Sequence, residues 1–154
     1  MKPWNPNIRV QVEPFDATHE SQLLSAGRND IGALVTFTGV CRDEGGRLAV
    51  LELEHYPGMA EAEIARIAAQ AMERWPLMGL TAIHRTGKIA PGEPIVLVVT
   101  ASAHRKAAFE AAEFLMDYLK TRAPFWKKEH YKDGATGGWV DARGADDVAA
   151  DRWT

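Results

Sequence analysis

The chain is poor in cysteine, with Cys41 as the only one among its 154 residues. A single thiol excludes an intrachain disulfide and any metal site built from several cysteines. The histidines His55, His84 and His104 do not lie at metal-ligand spacings either. The sequence therefore predicts no metal site.

Long apolar runs are also missing: no stretch approaches 18 consecutive apolar residues, and the N-terminal MKPWNPNIRV lacks the apolar core of a signal peptide. We therefore expect a soluble, cytoplasmic protein with no membrane partner. The net charge of -3 argues against general nucleic-acid binding. The sequence contains neither a Walker loop nor a GxGxxG motif after a predicted strand, so we expect no nucleotide cofactor and no other cofactor.

What is present is the composition of an ordinary globular domain, with 46% hydrophobic and 25% charged residues. We predict a single domain over residues 1–154, with a loosely ordered lead-in at residues 1–7. Strands and helices are mixed without strict alternation, which is typical of an α+β domain. The predicted strands cover residues 8–12, 32–38, 48–55, 80–85 and 95–102, and the predicted helices cover residues 18–25, 60–75 and 103–121.

The last predicted helix begins with positive charges. Ser102 is its predicted N-cap, but His104, Arg105 and Lys106 in the first turn oppose the positive end of the helix dipole. Such residues make sense where a bound anion meets the free backbone N–H groups of the first turn. The alternative is that they point into solvent at a cost of roughly a few tenths of a kcal/mol each. Charge placement alone leaves both possibilities open.

The same helix ends in a segment, residues 120–132, that contains five lysines and arginines and one acid; we call it the basic segment. Crowding by like charges and desolvation by Phe125 and Trp126 would activate Lys120 as a nucleophile or base. One alternative is that Lys120 continues the polar face of the helix into a solvated basic loop. Another is single-stranded nucleic-acid binding through stacking and phosphate contacts, which the acidic chain as a whole disfavours.

The loop at residues 39–47, after the second predicted strand, contains three glycines together with Arg42 and Arg47. It is a candidate site for an anionic ligand. Cys41 lies beside these arginines, where it could be a sulfur-transfer nucleophile. A small, partly buried side chain is the better interpretation, because free cysteine usually packs as a small apolar residue.

Several motifs together resemble the large, catalytic subunit of molybdopterin synthase. The resemblance extends in unchanged order from about residue 8 to residue 153, and its longest motifs are specific. They are TFTG at residues 36–39 with Arg42, LEHYPGM at 53–59, RWPL at 74–77, IHR at 83–85 with Gly87, SAHR at 102–105 and MDYLKTRAPFWK at 116–127.

The resemblance implies an α/β-hammerhead-like domain with a small additional antiparallel β-subdomain. It also implies a homodimer of large subunits with a ubiquitin-like sulfur-carrier subunit at each end, a heterotetramer overall. The thiocarboxylated Gly-Gly tail of the carrier enters a pocket of the large subunit. Two such sulfurs convert cyclic pyranopterin monophosphate into the dithiolene of molybdopterin, so the protein is expected to be a sulfurtransferase.

The resemblance also assigns roles to individual positions. Lys120 and Lys127 correspond to the catalytic lysines, and Arg143 resembles an arginine that reaches the neighbouring subunit's site. Two features depart from the family pattern: Val40 stands where a lysine is common, and the loop at residues 43–47 is short. The substrate-binding positions implied by the resemblance are Arg42, His104, Arg105, Lys128, Glu129, Val40, Cys41 and Arg143.

A competing function is a non-catalytic relative that binds the carrier or a pterin without turnover. Retention of both lysines together with His104 and Arg105 argues against it.

Overall fold

The computed structural model describes residues 4–141 and Trp153, so Arg143 lies outside the described residues. In this part of the chain three helices accompany two four-stranded sheets. The elements are β1 (Asn7–Gln11), α1 (Ala17–Ser25), β2 (Ala33–Val40), β3 (Leu48–His55), α2 (Met59–Arg74), β4 (Leu77–Arg85), β5 (Gly87–Ile89), β6 (Pro94–Ser102), α3 (Arg105–Arg122), β7 (Phe125–Tyr131) and β8 (Val140–Asp141).

The larger sheet has the strand order β1-β4-β6-β2, with β1 parallel to β4 and the other neighbours antiparallel. The central strand β6 is a nearly continuous apolar run because helices cover both of its faces. Val96 and Val98 belong to the core under α2 and α3, whereas Leu97 and Val99 pack on the side covered by α1. Successive side chains of the strand thus serve two separate cores.

The smaller sheet has the order β5-β3-β7-β8, with antiparallel neighbours throughout. A small apolar cluster that includes Cys41, Leu53 and Ile89 packs against its inner face. This sheet matches the additional antiparallel subdomain that the resemblance implied, and the α+β prediction is confirmed. The basic segment is not a loop, however, because most of it forms β7.

Two details near the chain's elements differ from the predictions. Ser102 is not the N-cap of the last helix: it ends β6, where its hydroxyl donates to the Pro76 carbonyl at 3.1 Å, and His104 occupies the N-cap position. In the predicted lead-in, Trp4 packs against the main core and Asn7 already belongs to β1. No helix in the described part of the chain is long and apolar enough to cross a membrane.

Candidate functional site

A cavity of about 510 Å³ lies between the loop after β2, the C-terminal turn of α3 and the inner face of the smaller sheet. Its walls are mostly polar, and Leu48, Leu51 and Ile95 supply the apolar part. Four cations and two carboxylates line it, so its net charge is positive. They are Arg42, Arg47, Lys120, Lys127, Glu44 and Glu129.

Lys120 and Lys127 reach this cavity from two different elements. Lys120 lies in the last turn of α3, which ends at Arg122. Ala123 then adopts an extended conformation, as a residue before proline favours, and the chain turns back as β7. Lys127 is the third residue of β7 and points to the same side as Glu129, because strand side chains alternate. The structure thus places both lysines in the walls of one cavity.

The two positions after Lys127 lie on opposite faces of the smaller sheet. Glu129 lines the cavity, and the interaction of its carboxylate with the phenol raises the pKa of Tyr131. Lys128 lies on the other face, with its ammonium nitrogen 5.7 Å from the ring centroid of Trp139. Of the pair implied by the resemblance, only Glu129 is therefore placed to contact a ligand in this cavity.

The loop after β2 contributes Arg42, whose exposed guanidinium forms an ion pair with Glu44. Arg47 enters the same cavity from the end of the loop. Val40 is the last residue of β2 and is half exposed, but it is not among the residues that line the cavity.

Cys41 borders the cavity but is almost fully buried, with 3% of its surface exposed. Burial raises the pKa of its thiol, and the nearby carboxylates Glu93, Asp43 and Glu129 act in the same direction. A protonated, enclosed thiol is a poor nucleophile. These surroundings favour the packing role expected for Cys41.

His104 and Arg105 lie at the opposite end of α3 from Lys120. The 15 residue steps from Arg105 to Lys120 correspond to roughly 22 Å of helix at 1.5 Å per residue. Both residues are exposed, and neither lines the cavity. Within one chain, the structure does not bring them together with the two lysines.

Sequence reasoning missed a histidine beneath the site. The His84 ring stacks on Phe125, with centroids 3.8 Å apart and planes 15° from parallel, and its Nδ1 lies 2.8 Å from the Arg85 carbonyl oxygen. Burial lowers the pKa of His84 to about 4, assisted by the charge of Lys120 and by His55. Its neutral ring packs on the first residue of β7, two positions before Lys127. The IHR motif contained this residue, but nothing in the motif indicated burial.

His84 makes folding stability depend on pH. Its pKa in the folded protein, about 4, is below the usual value of 6.5, so as pH falls below 6.5 the unfolded chain takes up a proton first. We expect the free energy of unfolding to drop by about 2 kcal/mol between pH 7.5 and pH 5 from this group. Urea denaturation of wild type and His84→Phe at both pH values measures this contribution. The other histidines are common to both proteins, so the difference in pH dependence belongs to His84. Equal pH dependence in the two proteins would refute the assignment.

No three His, Cys, Asp or Glu side chains among residues 4–141 and 153 are grouped so that they could hold a metal ion. The charged groups of the cavity are instead suited to an anionic organic ligand.

Comparison with known proteins identifies the family of this chain. The family model described as MoaE protein matches residues 10–122. The chain belongs to the MoaE family. The match begins in β1 and ends with the last residue of α3, so it includes Lys120 and the loop that carries Arg42 and Arg47.

Individual MoaE relatives are similar over nearly the whole chain. A molybdopterin synthase catalytic subunit from Mesorhizobium japonicum is 68% identical over 148 residues, which are 96% of this chain and 93% of the relative. The solved MoaE protein of molybdopterin biosynthesis from Burkholderia ambifaria superposes with a TM-score of 0.84 at 48% identity and covers 96% of this chain and 97% of its own. The crystal structure of molybdopterin synthase from Staphylococcus aureus gives a TM-score of 0.76 at 31% identity, with coverages of 85% and 94%.

Proposed function

We propose that this MoaE-family chain is the catalytic subunit of a molybdopterin synthase. It transfers sulfur from the thiocarboxylated C-terminus of a small carrier subunit to cyclic pyranopterin monophosphate, and two transfers give the dithiolene of molybdopterin. The observation that carries the proposal is the placement of Lys120 and Lys127 in one cationic cavity. A relative that is named as this subunit is 68% identical over 148 residues.

The cavity suits both reactants. Its volume is in the range of about 300 to 1,000 Å³ that small-molecule sites occupy. The pterin has a phosphate and the carrier ends in a thiocarboxylate, so both ligands bring negative charge to a site with excess positive charge. Arginine is well suited to bind the phosphate, because its planar guanidinium can donate two parallel hydrogen bonds.

The two lysines have different roles in this proposal. Lys120 is the group for direct chemistry, either as acid and base or as the amine that meets the thiocarboxylate carbon. Lys127 stabilises the negative charge that develops during transfer and helps orient the carrier tail. Lys127 is held on both sides, because its strand residue pairs with Leu53 of β3 and Val140 of β8. The backbone position of Lys127 is therefore fixed, which lowers the reorganisation needed to place its charge during the reaction.

The functional assembly is a homodimer of this chain with one ubiquitin-like carrier docked on each copy. This arrangement gives His104 and Arg105 a role despite their distance from Lys120. In a two-fold dimer, the N-terminal end of α3 of one copy can approach the cavity of the other. We infer that these residues, and Arg143, contact the pterin bound by the second copy.

A cytoplasmic location fits the proposal, because a chain whose single cysteine forms no intrachain disulfide is suited to a reducing compartment.

A reconstitution tests the function. Purified protein is mixed with thiocarboxylated carrier and cyclic pyranopterin monophosphate, and the dithiolene product is measured with and without each component. We expect product only in the complete mixture. Binding of carrier and pterin without product would instead establish the non-catalytic relative.

A further inference from the structure

Two arginines approach the cavity from the loop after β2, and they differ in what holds them. The guanidinium of Arg42 forms an ion pair with Glu44, two residues further along the same loop. Arg47 forms no ion pair with any carboxylate of residues 4–141. Its guanidinium carbon lies 5.1 Å from the ring centroid of Tyr131 instead. The positive charge of Arg47 is therefore not neutralised within the described part of the molecule.

Both the backbone and the side chain of Arg47 are fixed to the end of β7. The Arg47 carbonyl accepts a hydrogen bond from the Lys132 amide at 2.9 Å. The next residue, Leu48, donates its amide to the Asp43 carboxylate at 2.9 Å, which closes the loop. A cation held in this way loses little conformational freedom when a ligand binds, and this raises affinity.

The contact with Tyr131 leaves the hydrogen-bonding groups of Arg47 available. An aromatic ring contacts the face of a guanidinium, whereas its five N–H donors lie in the guanidinium plane. No side-chain hydrogen bond from Arg47 to a described residue competes for these donors. They can therefore meet the oxygens of an anion in the cavity.

Tyr131 also lies close to an acidic residue of the cavity wall, Glu129. The carboxylate of Glu129, which lines the cavity with Arg47, interacts with the phenol and raises the pKa of Tyr131. Tyr131 thus lies beside both the cation that would attract an anionic ligand and the carboxylate that would repel it.

We propose that Arg47, restrained by Tyr131, binds the phosphate of the cyclic pterin and is a determinant of substrate affinity in this chain. The inference rests on the proposed function and adds a residue to it. The phosphate is a better ligand for a pre-positioned cation than the carrier tail. A phosphate presents several oxygens to the paired N–H donors of a guanidinium, whereas a thiocarboxylate presents one oxygen and one sulfur.

Calorimetric titration of cyclic pyranopterin monophosphate into the protein tests the proposal, because binding is measured without turnover. For Arg47→Ala we expect the dissociation constant to rise about 10- to 100-fold, the effect of losing a charge-assisted hydrogen bond. Arg47→Lys keeps the charge but not the paired donors, so its dissociation constant should lie between those of wild type and Arg47→Ala. Tyr131→Ala releases the guanidinium and weakens binding about fivefold, whereas Tyr131→Phe keeps the ring and changes affinity less than Tyr131→Ala.

Arg66→Ala is the matched control, because Arg66 forms an ion pair with Glu63 on α2 and does not line the cavity. It should leave pterin affinity unchanged, and equal melting temperatures show that all variants fold. Unchanged pterin affinity in Arg47→Ala overturns the proposal. If Arg47→Ala loses affinity for the carrier but keeps its affinity for the pterin, the proposal is also overturned, and Arg47 binds the carrier tail instead. If the wild-type protein binds the pterin but forms no product, the proposed function is contradicted. The pterin affinities of wild type and the Arg47 variants can still be compared in that case, so the role of Arg47 is tested separately.

Discussion

Lys120→Ala should form no dithiolene product while it binds the carrier with unchanged affinity. The substitution removes the amine proposed for direct chemistry, and we expect the single-turnover rate to fall by at least about 10³-fold. Lys127→Ala removes charge stabilisation and a contact that orients the carrier tail, but not the reacting amine, so its rate should fall by about 10²-fold. Single-turnover product formation and calorimetric carrier binding are the two measurements.

The control for this experiment is Lys88→Ala, which removes the same charge from an exposed position on β5 outside the cavity. It should retain the wild-type rate. Lys120 is itself exposed at the end of α3, so its replacement should not unfold the protein. Ordinary turnover by Lys120→Ala would remove Lys120 from the chemistry.

A mixed dimer should show that each site draws on both copies. Suppose that one chain carries Lys120→Ala and the other carries Arg105→Ala. Because Arg105 is proposed to act on the cavity of the other copy, one cavity is affected by both substitutions and the other cavity by neither. We expect the mixed dimer, purified by two different affinity tags, to have about half of the wild-type activity at low pterin concentration. The parent dimers should be nearly inactive under the same conditions: one lacks Lys120, and the other binds the pterin weakly.

The opposite pairing is the control for the mixed dimer. A chain with both substitutions, paired with a wild-type chain, leaves no intact site if Arg105 acts across the dimer. If Arg105 served its own chain instead, this pairing would keep half of the activity, and the first mixed dimer would have almost none. The two pairings contain the same substitutions in total, so differences in stability cannot account for opposite results.

The apolar pattern of the sequence was sufficient to predict the strands of the larger sheet and the three helices, but not the order of those strands. Runs such as the one in β6 are long, β-branched and bounded by turns, so burial and element type agree. The strand β7 escaped prediction because FWKKEHY contains mostly polar residues. Its stability comes from pairing with β3 and β8 and from the burial of Phe125. Such tertiary contacts override a weak local preference.

In the candidate site, too, some features follow from the local sequence and others depend on tertiary contacts. The motif around residues 116–127 predicted that Lys120 and Lys127 belong to one site, and both line one cavity because the turn at Pro124 is local. The opposite directions of Lys128 and Glu129 follow from strand alternation, which a loop prediction could not provide. The distance between Arg105 and Lys120 follows from helix length and could have been calculated from the sequence. The ion pair that occupies Arg42, and the ring that holds Arg47, depend on how the loop folds.

The alternation of β7 also constrains how this segment can evolve. Lys127 and Glu129 face the cavity, and the intervening Lys128 faces away from it, so adjacent positions serve different surfaces. Substitutions on the outward positions should accumulate freely. An insertion or deletion of one residue after Phe125 would reverse every side chain beyond it and move the ammonium of Lys127 out of the cavity. The position of the Lys127 ammonium therefore depends on the length of this strand as well as on the identity of the residue.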